Sequence, residues 1–156
     1  MTTPETISFT NEPDTPPAGY AQIPYGEPET FAGPYYEREA DGRFQLGFRV
    51  KRRHINHGGF LHGGFIATFC DLQVRPIKLA LGLFEFSPTV SIAVDYLESG
   101  KLGDWIWMEP ELVKQTGKML FTQAIVMAED RAIARTNAIY RIMRHDTGAK
   151  EPTRPT

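Results

Sequence analysis

The chain has 156 residues, 41% of them hydrophobic, with 17 basic against 19 acidic side chains and a formal net charge of −2. That length supports one globular domain with a substantial core, and the near balance of charge leaves no basic footprint for nucleic acid or an anionic membrane. A single cysteine excludes an internal disulfide framework, no stretch approaches the ~20 apolar residues of a membrane span, and Met1-Thr2-Thr3-Pro4-Glu5 lacks a signal peptide's pattern, so the expected compartment is the cytoplasm.

The first two dozen residues are rich in proline and acidic side chains and carry no hydrophobic period, which makes residues 1–26 an extended N-terminal arm. Within residues 27–38, Phe31, Tyr35 and Tyr36 beside Gly33-Pro34 predict a short helix, interrupted or started near the proline and laid on the body. Asp41-Gly42 marks a turn. Beyond it Phe44, Leu46, Phe48 and Val50 alternate with Gln45, Gly47 and Arg49, the period of a half-buried first strand. Lys51-Arg52-Arg53 follows as a solvated strand end.

From Gly63 to about Gly82 the apolar residues Phe65, Ile66, Phe69, Cys70, Leu72, Ile77, Leu79 and Leu81 cover most of a helix circumference, so this helix must be buried by the fold or by a partner. Cys70 reads as a core thiol. Pro76 falls inside the helix and predicts a kink or an early end there, and Arg75 puts a charge where an apolar residue is expected.

Strand signals fill the rest. Val90, Ile92, Val94 and Tyr96 alternate, residues 100–104 turn, and residues 105–115 are extended with Pro110 marking an edge or bulge. Trp105 and Trp107 share a strand face as sheet packing. Thr116-Gly117-Lys118 reads as a hairpin, Met119 to Met127 as the next strand, Glu129-Asp130 as a tight turn, and residues 132–143 as the last strand. The domain is expected over residues 27–145, with residues 146–156 a flexible C-terminal tail.

The stretch from His57 to Asp71 carries the chemistry. It places two His-Gly-Gly units, His57-Gly58-Gly59 and His62-Gly63-Gly64, ahead of an apolar run with one carboxylate inside it. Glycines admit a ligand to the backbone, and a helix starting at Gly63 aims unpartnered N–H groups and the positive dipole end at it. Asp71 inside an apolar helix is costly unless hydrogen-bonded, which favours a functional carboxylate. His54, His57, His62, Cys70 and Asp71 lie close in sequence but match no zinc spacing, so no metal is expected.

One strand, one long helix and a run of four antiparallel-looking strands is an α+β order in which an antiparallel sheet wraps a long central helix. It resembles the hotdog fold. Asn56, Gly59, His62, Gly63, Gly64 and Asp71 fall in the spacing N-x-x-G-x-x-H-G-G-x-x-x-x-x-x-D, which resembles the PaaI-type acyl-CoA thioesterases. The likeness runs from the first strand to the last, including Thr89 and Lys101-Leu102-Gly103-Asp104. It implies hydrolysis of an acyl-CoA thioester with no cofactor, with Gly63 polarising the carbonyl through its N–H and Asp71 as general base or nucleophile. It further implies that Thr89 orients water or Asp71, that Asn56 holds the carbonyl or water, that His62 fixes the turn, and that Gly64, Val90 and Ser91 line the substrate site. Plainer roles stand beside these: Thr89 as an ordinary strand residue, Asn56 as a loop cap. Lys51-Arg52-Arg53 would meet the coenzyme's phosphates, and Arg75 a polar or carboxylated acyl group. A non-catalytic acyl-CoA-binding hotdog domain would not need Asp71, and a hydratase or dehydratase of the same fold would use His62 with Asp71.

Asp71 lies eight residues beyond Gly63, about 12 Å along one helix axis at ~1.5 Å per residue. The two cannot serve one carbonyl within a chain. Two chains with antiparallel helices bring Gly63 of one to Asp71 of the other, so a homodimer with a shared site, alone or doubled into a tetramer, is expected.

Overall fold

Asp41 and Gly42 both take positive φ, 54° and 73°, the backbone that a two-residue type I′ hairpin demands. They join β2 (Tyr36–Ala40) to β3 (Arg43–Arg49), with Ala40 opposite Arg43. In the computed structural model, which describes residues 14–143, this hairpin precedes the central helices and is extended by β1 (Ala21–Gln22), antiparallel to β2. Part of the expected arm is therefore sheet. The first 13 residues of the arm and the whole of the expected tail, residues 146–156, lie outside the described residues.

The predicted short helix is α1 (Glu27–Ala32), with Pro28 in its first turn, and it stops before Gly33-Pro34. Tyr36 opens β2 instead and Tyr35 stands just before it, a correction whose cause is burial. Tyr35 is 1% exposed, stacked 5.7 Å from Phe69 and edge-on to Phe48 at 5.6 Å, contacts made with residues far along the chain.

The central helix comes in two pieces, α2 (Gly63–Asp71) and α3 (Val74–Leu81). The break at residues 72 and 73 comes before Pro76, not at it. Pro76 is the third residue of α3, where an amide has no intrahelical acceptor, and the break spares it a clash with the Leu72 carbonyl. That carbonyl accepts the Arg75 N–H at 3.0 Å. Gln73 holds the break. Wholly buried, it donates to the Cys70 carbonyl at 3.0 Å and to Thr136 Oγ1 at 3.2 Å, and accepts the Thr122 hydroxyl at 2.8 Å. Gly82 ends α3 at φ 64°, the left-handed cap that glycine adopts without strain.

After the helices come β4 (Thr89–Tyr96), β5 (Trp105–Met108), β6 (Glu111–Gln115), β7 (Met119–Ala128) and β8 (Arg131–Arg141). The antiparallel sheet runs β1-β2-β3-β5-β7-β8-β4. The extended stretch expected over residues 105–115 is two strands divided at Glu109-Pro110: β5 pairs with Val126 to Ala128 of β7, and β6 with Leu120 to Gln123. Gly47 leaves room for the Trp105 ring, which would lie 2.3 Å from a Cβ there. The inner sheet face packs Leu46, Phe48, Ile106, Val126 and Ile133 against Ile66, Phe69 and Cys70 of α2. This is the sheet-wrapped helix of a hotdog fold. No helix among the described residues is long and apolar enough to cross a membrane.

Candidate active site

The turn ahead of α2 is held by side chains. Asn56 Oδ1 accepts the N–H groups of Gly58 at 2.9 Å and Phe60 at 3.1 Å, and the Asn56 N–H donates to the Phe60 carbonyl at 2.8 Å. His57-Gly58-Gly59 is thereby closed into a loop with Gly59 at φ 82°, so only the second His-Gly-Gly unit opens a helix. The His62 N–H donates to the His54 carbonyl at 2.8 Å, and His62 caps α2, its Nδ1 accepting the Gly64 N–H at 2.9 Å. The Gly64 amide is thus engaged, while the Gly63 N–H has no acceptor among the described residues. The Tyr96 hydroxyl donates to the Gly63 carbonyl at 2.8 Å, and a Cβ on Gly63 would stand 3.2 Å from the Tyr96 ring.

His54 lies beneath this turn, fully buried, its ring edge-on to Phe65 at 4.8 Å and its Nδ1 accepting the Lys51 N–H at 3.0 Å. Burial first, then the Arg53 charge, hold its pKa down at about 4, so it is neutral. Lys51 departs from expectation: it is not a solvated strand end but pairs with Asp14 at 3.0 Å, both side chains 11% exposed.

Asp71 ends α2, where its carboxylate meets two sheet residues. The Thr89 hydroxyl donates to Oδ1 at 2.7 Å. The Tyr140 hydroxyl donates to the Asp71 backbone carbonyl at 2.8 Å and stands 3.5 Å from Oδ1. Thr89 and Tyr140 are cross-strand partners on β4 and β8, and a register shift between Thr89 and Ser91 adds a bulge beside them, a device that re-aims a side chain next to a site. Burial, then the Asp71 charge, push the Tyr140 phenol far above its usual pKa, so it stays a donor. Sequence reasoning missed Tyr140. Its signal was the inward phase of Ala138, Tyr140 and Ile142 on the last strand.

A cavity of about 570 Å³ opens above Asp71, Thr89 and Tyr140. Apolar side chains of α3 and the following loop form most of its wall, among them Val74, Leu79, Leu83, Phe84 and Phe86, and Tyr25 and Arg75 form its side. Arg75 is not an open charge facing this space. Its Nε and Nη2 each bond a Glu37 carboxylate oxygen at 2.8 Å, and its guanidinium lies 5.6 Å from the Tyr25 ring centroid. Asn56, His62, Gly63 and Gly64 gather at the opposite end of α2, and Val90 and Ser91 lie exposed along β4. Cys70 is buried with its thiol pushed up to about 12, and no cluster able to hold a metal ion occurs among the described residues.

Residues 58–134, which hold both ends of α2 and Thr89, match the family model of the Thioesterase superfamily. That segment belongs to the thioesterase superfamily. It is 25% identical, over 70% of its length and 84% of the relative's, to a Pseudomonas aeruginosa protein whose name calls it an esterase. A hypothetical thioesterase from Streptococcus pneumoniae, solved with coenzyme A, superposes with a TM-score of 0.63 at 22% identity, covering 70% of this chain and 88% of that one. A mutant of the phenylacetic acid degradation protein PaaI from Thermus thermophilus gives 0.65 at 18% identity, with 75% and 100% covered. These superpositions establish the hotdog fold. Tyr25, Glu37 and Tyr140 all lie outside the residues matched to the superfamily.

Proposed function

We propose that the protein hydrolyses an acyl-CoA thioester to the free acid and coenzyme A at two equivalent sites of a cytoplasmic homodimer. Each site takes Asp71 and Thr89 from one subunit and the Gly63 N–H from its partner. The observation that carries this reading is the Asp71 carboxylate, fixed by Thr89 at 2.7 Å at the foot of a largely apolar cavity of about 570 Å³. The Gly63 amide at the far end of the same helix, without an acceptor among the described residues, supplies the donor that a second chain must bring.

In this mechanism Asp71 accepts a proton from water as the water oxygen bonds to the thioester carbon. The carbonyl π pair moves onto oxygen, where Gly63 of the partner subunit and the helix terminus behind it stabilise the growing negative charge. The pair returns, the C–S bond breaks, and the thiolate takes the proton held by Asp71. His62 acts through the turn, as the cap that leaves the Gly63 N–H free; Asn56 closes the preceding loop.

The edge strand β4 supports the dimer. It is open along one side and exposes Val90 (55%), Ile92 (36%) and Tyr96 (54%), and the adjoining Leu97 is 56% exposed. An open apolar edge of this kind is a template for pairing with a second copy.

Free-thiol release from a panel of acyl-CoAs by the parent protein and Asp71→Ala tests the reaction. Loss of the base should lower kcat by ~10²–10⁴-fold with the fold intact. Full turnover in Asp71→Ala, or a stable active monomer in sedimentation, would end this reading.

A further inference from the structure

Two cations line the cavity beside Asp71, and both are already engaged, Arg75 by a carboxylate and Lys78 by a carbonyl. Arg75 presents two of its N–H edges to Glu37, both bonds at 2.8 Å, and one face to Tyr25. The Lys78 ammonium donates to the Glu85 carbonyl in the loop after α3. Glu29 adds a further carboxylate to the lining. The remaining wall is mostly aliphatic and aromatic. An acyl chain ending in a carboxylate would have to leave water and enter this space with the Arg75 charge already matched by Glu37, the Lys78 ammonium drawn to the Glu85 carbonyl, and the Glu29 and Asp71 carboxylates beside it, and such a charge is expensive to bury without a matched partner.

We infer that Glu37 is a specificity-determining residue: by neutralising Arg75 it makes the acyl chamber select uncharged acyl groups and reject those with a terminal carboxylate. The inference rests on the hydrolase reading above. Arg75 lies within the residues that match the superfamily, whereas Glu37 on β2 and Tyr25 after β1 lie outside them. The mask is thus supplied by residues that precede the matched segment. The geometry suits the task. A forked carboxylate–guanidinium pair is the strong, directional form of this contact, and Glu37 raises the Arg75 pKa further, so the guanidinium stays charged.

The test is a length-matched pair of substrates, hexanoyl-CoA and adipoyl-CoA, compared by kcat/KM in the full-length parent protein, Glu37→Gln, Glu37→Asp and the double variant Glu37→Gln/Arg75→Gln. The parent should favour hexanoyl-CoA by about 100-fold or more, a discrimination of the size expected when a buried charge lacks a partner. Glu37→Gln, which frees the guanidinium, should improve the adipoyl-to-hexanoyl ratio by about 10-fold, and the double variant should lose that gain. Glu37→Asp, too short to hold both bonds, should move the ratio in the same direction by less, and it serves if the glutamine variant fails to fold. Equal use of both esters by the parent, or an unmoved ratio in variants that still hydrolyse hexanoyl-CoA, overturns the inference while leaving the hydrolase reading in place. Absence of thiol release from a broad acyl-CoA panel by the parent overturns both.

Discussion

The Tyr96 hydroxyl on edge strand β4 donates to the carbonyl of Gly63, the first residue of α2, at 2.8 Å. At the other end of the same helix the Tyr140 hydroxyl donates to the Asp71 carbonyl, also at 2.8 Å. Each half of the proposed site is therefore tied to the sheet by a tyrosine. Removing the Tyr96 hydroxyl deletes one hydrogen bond of about 1 kcal/mol and loosens the peptide that presents the Gly63 N–H. Tyr96→Phe should lower kcat about 5-fold with KM nearly unchanged, read by steady-state thiol release. Gly63→Ala should do more, because its Cβ meets the Tyr96 ring at 3.2 Å; a Gly63→Ala protein with parental kcat would show that the Gly63 peptide is not where the carbonyl binds.

Thr89 and Tyr140 act on Asp71 differently, and their variants should separate accordingly. Thr89→Val removes the 2.7 Å donor to the carboxylate and leaves the strand intact, so kcat should fall by about 10-fold or more with little change in melting temperature. Tyr140→Phe leaves a backbone carbonyl at the helix end without its buried donor. A stability loss of about 1–3 kcal/mol by urea unfolding should accompany its loss of kcat. If Thr89→Val turns over at the parental rate, Thr89 is a strand residue and nothing more.

Much of this arrangement was legible because it is local. Alternation of Phe44, Leu46, Phe48 and Val50 marks β3, and the His62-Gly63-Gly64 turn marks the start of α2, each set by residues a few positions apart. The misses share a different origin. Tyr35 and Tyr36 look helical beside their neighbours, but Tyr35 is drawn to Phe48 and Phe69, and Tyr36 opens a strand against Gly47. The helix breaks at residues 72 and 73 because Gln73 finds Thr122 and Thr136 on strands that come 49 and 63 residues later. Arg75 reads as an unexplained charge until Glu37, 38 residues earlier, is brought to it. Hydrogen bonds that close over such distances leave no period in the sequence.

Buried His54 makes the fold acid-sensitive. Its folded pKa of about 4 lies below the ordinary 6.5, so the unfolded chain takes up a proton that the native one refuses. Its stability contribution is fully present above pH 6.5 and is lost as pH falls through about 4, for a total of about 3 kcal/mol. Urea unfolding at pH 7.5 and 4.5 should show most of that loss in the parent, and His54→Gln should be less stable at pH 7.5 but lose much less on acidification. An equal pH dependence in the two proteins would assign the acid sensitivity to carboxylates instead.

A site divided between chains makes a demand that a site within one chain does not. Asp71→Ala destroys one half, and a Gly63 variant too bulky for the carbonyl to approach, such as Gly63→Val, destroys the other. Each homodimer should be nearly inactive. In a mixed dimer the intact Asp71 of the Gly63→Val chain faces the intact Gly63 of the Asp71→Ala chain, so one of two sites is whole. Random reassortment of equal amounts makes half the dimers mixed, and activity should return to about a quarter of the parental value on mixing and exchange. Sedimentation should show dimers throughout, and a charge on the open strand, as in Ile92→Lys, should abolish both the dimer and the turnover. Recovery near zero in mixtures shown by mass spectrometry to contain the mixed dimer would show that Asp71 of one chain and Gly63 of the other do not complement each other, and would remove the basis for a shared site.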